Sequence, residues 1–151
     1  MTDSGHQFTT IFGRNLIGEL PNFVHLPYLV VTMEDLWQKF EKFFPHPGGV
    51  YLVHTLDVDE LYREAEKLPR CNAVIGLGGG QAIDVAKFFA WTKRLPLFQV
   101  PTSMTVNAPF GHRAGLRTQG KVKYTGWAVP EAVNVELDVI QRAPPLLNCS
   151  G

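Results

Sequence analysis

Apolar positions along this chain fall into short runs bounded by turn residues, and their spacing changes from one run to the next. Thr9 to Phe12, a stretch around Leu16 to Leu20, and Tyr28-Leu29-Val30-Val31 read as short strands, with Pro21 and Pro27 as punctuation. From Met33 to Phe44, the residues Leu36, Trp37, Phe40, Phe43 and Phe44 recur largely at helical spacing, which makes one face of a helix apolar. Pro45, Pro47 and Gly48-Gly49 end it. Val50-Tyr51-Leu52-Val53 is again short and β-rich. Asp57 and Asp59 then precede Leu61, Ala65 and Leu68, spaced for a helix that Pro69 closes.

Ala73-Val74-Ile75 leads into the glycines Gly76, Gly78, Gly79 and Gly80, and Ala82 to Trp91 is helical in composition and apolar almost all round. Leu97 to Val100 is the next strand. Such repeated alternation of strand and helix predicts an α/β fold, a Rossmann-like parallel sheet with helices on both faces. Beyond Pro101 the pattern changes. Ala114 to Arg117, Lys121 to Thr125 and Val133 to Leu137 read as strands, with Gly120 where a hairpin could turn, so a β-hairpin extension follows the parallel sheet. Ala143 to Asn148 begins another helical stretch.

Composition narrows the partners. The chain has 151 residues, 45% of them apolar, which suits one domain burying roughly two-thirds of its unfolded surface. Lysine plus arginine and aspartate plus glutamate each number 14, so no net field draws the protein to nucleic acid or an anionic membrane. A small-molecule partner is expected, and a homo-oligomer is left open. The two cysteines, Cys71 and Cys149, have no metal or redox spacing and read as reduced thiols. With neither a targeting segment nor a membrane-spanning run, the expected setting is the cytoplasm.

The glycines carry the first sign of chemistry. At a strand exit followed by a helix, Gly78-Gly79-Gly80 would let the backbone approach a phosphate, and the helix would point its free N–H groups at the charge. The same glycines could simply permit a tight strand-to-helix turn. The G-x-G-x-x-G dinucleotide pattern is not met, because Gln81 occupies the place of the third glycine after Gly76 and Gly78, and no P-loop Lys follows. A G-x-S-x-G elbow is also lacking, so covalent catalysis has no support.

Gly78-Gly79-Gly80-Gln81-Ala82-Ile83-Asp84-Val85-Ala86-Lys87 resembles the GGGxxxDxAK motif of the iron- or zinc-dependent alcohol dehydrogenase superfamily, which includes glycerol dehydrogenases, glycerol-1-phosphate dehydrogenases and dehydroquinate synthases. Val100-Pro101-Thr102-Ser103-Met104-Thr105-Val106-Asn107-Ala108-Pro109 is similar to the VPTxxSxDAP segment of the glycerol dehydrogenase branch. Phe12-Gly13-Arg14-Asn15-Leu16 and Ile140-Gln141-Arg142-Ala143-Pro144 also follow the family's course. The resemblance implies that residues 1–151 form the N-terminal nucleotide-binding domain of an enzyme that moves hydride between NAD or NADP and a small polyol, alcohol or glycerol phosphate.

By the same resemblance Gly78, Gly79, Gly80 and Gln81 would hold the cofactor's pyrophosphate, and Thr102 and Thr105 would lie near its adenine and nicotinamide ends. Asp84 shares the motif and is a cofactor-binding candidate, while its spacing to Lys87 also suits an intrahelical ion pair. Asn107 stands where the branch carries a substrate-holding aspartate; it can hydrogen-bond but cannot act as a base. Thr32 and Met33 occupy the position of the acidic residue that many NAD-preferring relatives place against the adenosine ribose. Glu34 and Asp35 are expected instead in the first turn of the next helix, leaving NAD and NADP undecided.

The family's divalent metal, zinc or iron, is held by an aspartate and two histidines of a helical second domain, expected to be absent from this chain. His6, His25, His46, His54 and His112 have no ligand spacing, so no metal ligand and no catalytic residue is assigned. His112, with Arg113, Arg117, Lys121 and Lys123, could receive a substrate phosphate or form a solvated hairpin face. The competing readings are a dehydroquinate-synthase-like lyase, against which the Asn107 to Gly115 segment lacks an SSVGGK-like stretch, and a non-catalytic nucleotide-binding module.

Overall fold

A computed structural model describes residues 9–13, 24–102 and 113–136. In chain order these hold β1 (Thr9–Gly13), β2 (Tyr28–Thr32), α1 (Glu34–Phe40), a 3₁₀ turn (Glu41–Phe43) and β3 (Gly49–Leu52). Then come α2 (Val58–Glu66), β4 (Ala73–Gly78), α3 (Gly80–Lys93), β5 (Leu97–Pro101), β6 (Ala114–Thr118), β7 (Lys121–Thr125) and β8 (Ala132–Glu136). The run around Leu16 to Leu20 and the stretch Ala143 to Asn148 lie outside the described residues.

Six strands pair in the order β1-β8-β5-β4-β2-β3, every neighbour parallel. Alternation along the strands divides the core between the two faces. Tyr28, Val30, Ala73, Ile75, Leu77 and Val100 point one way, with Phe44, and Trp37, Phe40 and Phe43 of the α1 region pack against them. Leu29, Val31 and Val74 point the other way, against Leu61 and Ala65 of α2 and Ala82, Val85, Ala86, Phe88 and Phe89 of α3. Helices therefore cover both faces, as the alternation predicts.

β6 and β7 pair antiparallel around Gln119-Gly120, both at positive φ. This two-residue turn matches the twist of the strands it joins. The hairpin does not extend the sheet: Ala114 and Leu116 are buried in the α2/α3 core, and the Arg117 N–H donates to the Leu56 carbonyl at 2.8 Å. Packing between sheet and hairpin is why α3 is apolar nearly all round, since a helix with one wet face would need one polar stripe. Phe88 and Phe89, both fully buried, are each expected to contribute about 3–5 kcal/mol against truncation to Ala.

Two differences from the sequence reading have physical causes. The helix expected from Met33 to Phe44 is α-helical only to Phe40 and then tightens; the Phe44 N–H donates to Glu41 O at 3.0 Å, and the Phe44 side chain is buried. The run read from Val133 to Leu137 is β8, which inserts between β1 and β5, with the Glu131 N–H donating to Leu97 O at 2.6 Å. Its apolar pattern marks a strand but says nothing of which sheet will take it. Among the described residues no helix is long and apolar enough to cross a membrane.

Candidate functional site

The chain leaves β2 for α1 on one face and leaves β4 for α3 on the other, and these two strands are neighbours. A crevice therefore opens above their C-terminal ends, the point at which open α/β sheets accept ligands. β4 reaches it through Gly76-Leu77-Gly78. A Cβ on Gly76 would lie 2.7 Å from the Ala86 Cβ, so the missing side chain lets α3 sit close on the strand. Gly78 has φ +148, and a Cβ there would lie 2.9 Å from the Ala82 Cβ and 3.2 Å from Leu36 Cδ1. Only glycine satisfies both the backbone angle and the space.

Gly79 caps α3 with φ −83 and ψ −165, without any side-chain hydrogen bond, and no acidic residue occupies the first turn. The Ile83 N–H donates to Gly79 O at 3.1 Å. The amides of Gly80, Gln81 and Ala82 precede it in the helix and have no intrahelical acceptor. They add to the positive end of a 14-residue helix dipole. Gln81 is exposed beside them. The Thr102 N–H donates to Gly78 O at 3.0 Å, which ties the end of β5 to the glycine turn. Across the crevice, Thr32 ends β2 fully buried, and its hydroxyl has no hydrogen-bond partner. This arrangement can receive an anion through backbone N–H groups, and the first turn of α3 holds no carboxylate against it.

Asp84 stands one turn further along α3. Its carboxylate lies 3.8 Å from Lys87 Nζ and accepts a hydrogen bond from the Gly115 N–H of the hairpin. Burial pushes the Asp84 carboxyl up, against the attraction of Lys87, the Gly115 N–H and Arg117. Lys87, 1% exposed, is pushed down to about 8 by burial, with Asp84 opposing. Both shifts favour the neutral forms, so desolvation outweighs the attraction within the pair. Lys87 Nζ also donates to Arg113 O at 3.4 Å.

Of the residues singled out from the sequence, Gly78, Gly79, Gly80, Gln81 and Thr102 gather at one turn, and Asp84 faces the hairpin. Glu34 and Asp35 are exposed in the first turn of α1, as expected. Thr105, Asn107 and His112 lie outside the described residues. In the cationic hairpin group, Arg113 sits 5.8 Å over the Trp127 ring, while Lys121 and Lys123 are exposed, which is a solvated face. The sequence reading missed the burial of the Thr32 hydroxyl, the reach of Leu36 to Gly78 and the contact of Gly115 with Asp84. No local pattern signals them, because each is a contact between distant segments.

Among the described residues, hollows lie elsewhere as well, one of about 280 Å³ between Leu29, Cys71, Val74, Phe89 and Leu95, another of about 240 Å³ between Trp91, Leu97, Trp127 and Ala128. Both sit at the opposite end of α3 from the glycine turn, and neither gathers the convergent polar groups that orient a ligand. The crevice above β2 and β4, at the C-terminal ends of the strands, is the better site.

Residues 46–144 match the profile of a family described as iron-containing alcohol dehydrogenase. The chain is 32% identical over 136 residues to the glycerol-1-phosphate dehydrogenase [NAD(P)+] of Metallosphaera sedula, covering 83% of this chain and 38% of that protein. It is 37% identical over 163 residues to the 3-dehydroquinate synthase of Corynebacterium jeikeium, covering 94% and 43%. The crystal structure of a probable glycerol dehydrogenase from Sinorhizobium meliloti superposes with a TM-score of 0.84 at 19% identity, over 94% of this chain and 42% of that one. The chain thus spans less than half the length of each.

Proposed function

The chain belongs to the iron-containing alcohol dehydrogenase family, and on that premise we propose that residues 1–151 are the nucleotide-binding N-terminal part of an NAD(P)-dependent oxidoreductase. The whole protein would transfer hydride between the nicotinamide and a small polyol, alcohol or glycerol phosphate. The observation that carries the reading is the uncapped, acid-free N-terminus of α3 behind Gly78 and Gly79, at the switch point of the sheet. Backbone N–H groups of Gly80, Gln81 and Ala82 would bind the pyrophosphate, and Gly78 would admit it. Thr102, held to Gly78 O, would stand beside it. The 32%-identical relative, whose name carries NAD(P)+, supports the cofactor class. Thr105 and Asn107 remain the candidates for the nicotinamide side and the substrate.

Among the described residues no three His, Cys, Asp or Glu side chains gather to hold a metal. The described residues therefore offer the family's metal no set of ligands. The ligands are assigned to a second domain. A cytoplasmic setting agrees with the free thiol of Cys71.

Titration of NADH and NADPH fluorescence with the 151-residue chain tests the reading. Binding in the millimolar to high-micromolar range, on the order of −4 to −6 kcal/mol, is expected for a dinucleotide held on one wall of a cleft. Gly79→Val should abolish it while the fold persists, because φ −83 is open to any residue. Equal binding by wild type and Gly79→Val would remove the glycine turn from the site. The 37% identity to a 3-dehydroquinate synthase favours a second reading, in which NAD is used only transiently. Net accumulation of NAD(P)H by the whole protein with a polyol substrate would decide for the dehydrogenase.

A further inference from the structure

We propose that the outer surface shared by α2, the C-terminal half of α3 and the β6–β7 hairpin is a two-fold interface, on which a second copy of this chain sets its hairpin against α2. Exposed aromatic side chains gather there. Tyr62 of α2 and Trp91 of α3 both pack on the buried Phe88, with ring centroids 5.0 Å and 6.0 Å from it. Gly126, just past β7, comes so near that a Cβ on it would lie 2.8 Å from the Trp91 ring, and Trp127 follows directly. Of the seven large apolar side chains exposed among the described residues, five are Tyr62, Trp91, Val122, Tyr124 and Trp127 on these elements. The other two, Leu26 and Leu52, stand before β2 and at the end of β3. Single exposed apolar residues need no explanation, but a concentration of them on one surface marks a contact.

Charge identifies what covers it. Asp59 and Glu66 stand one turn to either side of Tyr62 on α2, with Arg63 further round the helix, and Lys121 and Lys123 stand on β7. All four of Asp59, Glu66, Lys121 and Lys123 are exposed, and among the described residues none of them makes an ion pair. The chain as a whole is neutral, yet this surface sets an acidic strip beside a basic one. The two strips are held together where the Arg117 N–H of β6 donates to the Leu56 carbonyl ahead of α2 at 2.8 Å. A two-fold axis would lay each basic hairpin on the other copy's acidic strip, making the same contact twice, as an isologous interface requires. Hairpin on hairpin would instead set lysine against lysine, and lysines on an edge strand oppose the addition of another strand. An aromatic centre inside a charged rim is the composition of a protein–protein contact.

Sedimentation equilibrium of the 151-residue chain tests the interface. A reversible dimer is expected, with a dissociation constant on the order of micromolar and weaker association at high salt, where the rim charges are screened. Lys121→Glu/Lys123→Glu and Asp59→Lys/Glu66→Lys should each weaken the dimer by about tenfold or more, with circular dichroism unchanged because the sites are exposed. Mixed in equal amounts, the two variants should associate to within about threefold of wild type, because each reversed hairpin then meets a reversed α2 and each native hairpin a native one. If either charge variant does not fold, Val122→Ser/Tyr124→Ser removes apolar contact from the same strand and should weaken the dimer several-fold. A chain that stays monomeric up to roughly a hundred times the expected dissociation constant would overturn the proposal. So would a dimer indifferent to either reversal or not restored by mixing, since its contact would lie elsewhere, and so would assemblies that grow past the dimer with concentration, since a two-fold contact closes on itself.

Discussion

α2 and α3 both leave the sheet as the second half of a strand-to-helix turn, yet their first turns are finished in opposite ways. α2 is closed: Asp57 Oδ1 accepts from the Glu60 N–H at 3.0 Å, and Asp59 and Glu60 place carboxylates against the helix dipole. α3 has glycine at its cap, no side-chain bond and no acid. The charges are distributed inversely as well. Asp59, Glu60 and Arg63 of α2 face water, whereas α3 carries Asp84 and Lys87 into the protein. A helix serving only the fold satisfies its own ends and keeps its charges outside. α3 leaves its positive end open and turns its charged pair onto a neighbouring hairpin, which is the finish expected of a helix that must offer N–H groups to an anion.

The sharpest way to break this contrast is to make the turn before α3 ordinary. Gly78→Val places a β-branched residue at φ +148, against Ala82 and Leu36. The combined strain and overpacking should destabilise the chain by about 2–4 kcal/mol in chemical denaturation, and nucleotide binding should be lost with it. A loss below about 0.5 kcal/mol would mean that the turn relaxes freely and that no close approach is built into it.

Gly79→Asp converts α3 to the finish of α2 without strain, since φ −83 and ψ −165 suit a capping residue. The new carboxylate should gain a few tenths of a kcal/mol in stability by accepting from the first turn. It should lower affinity for NADH by about a hundredfold, roughly 2.7 kcal/mol, by occupying the same N–H groups and repelling the pyrophosphate. Stability and binding moving in opposite directions is the signature; a fall in both would indicate general damage.

The inward charge on α3 makes a third test. Lys87 loses its proton at about 8 in the folded chain and at 10.5 when free, so between these values the unfolded state holds more protons. Stability should therefore rise with pH across that window, by at most about 1.4 kcal/mol per pH unit. Cys71 and Tyr51 are raised by burial and act in the opposite sense at the upper end, so the quantity to measure is wild type minus Lys87→Met. A flat difference from pH 8 to 10 would show that Lys87 stays charged in the folded chain.

How much of this was legible depends on whether the signal is local. Tyr28 to Val31, Ala73 to Ile75 and the glycines announce themselves through composition and period, and the structure has them as β2, β4 and the turn into α3. Gly120 marks its hairpin because a two-residue loop requires φ > 0, which it adopts. The ion-pair spacing of Asp84 and Lys87 was readable, but Gly115 as the third party was not, because β6 reaches α3 only after the whole of β5 and residues 103–112. The same holds for β8, whose place between β1 and β5 is a pairing across most of the chain. Thr32 was noticed for the carboxylate it lacks, and its buried, unpartnered hydroxyl could be known only from packing.

The smallest effect comes from the closed helix and serves as the control on the rest. Asp57→Ala removes the bond to the Glu60 N–H and leaves that donor to water at an exposed site, so the loss should be about 1 kcal/mol. Asp57 also lies beside Arg117 of β6 in an isolated bridge, and that pairing is through the backbone, which alanine retains. Nucleotide affinity should not change, because α2 satisfies its own N-terminus with Asp57 and carries its own acids in its first turn, and it contributes no N–H group to the glycine turn. Urea unfolding paired with NADH titration of the same variant measures both. If Asp57→Ala weakened NADH as strongly as Gly79→Asp, the two helix ends would not be separable, and the open N-terminus of α3 would owe its affinity to the stability of the whole layer rather than to its missing cap.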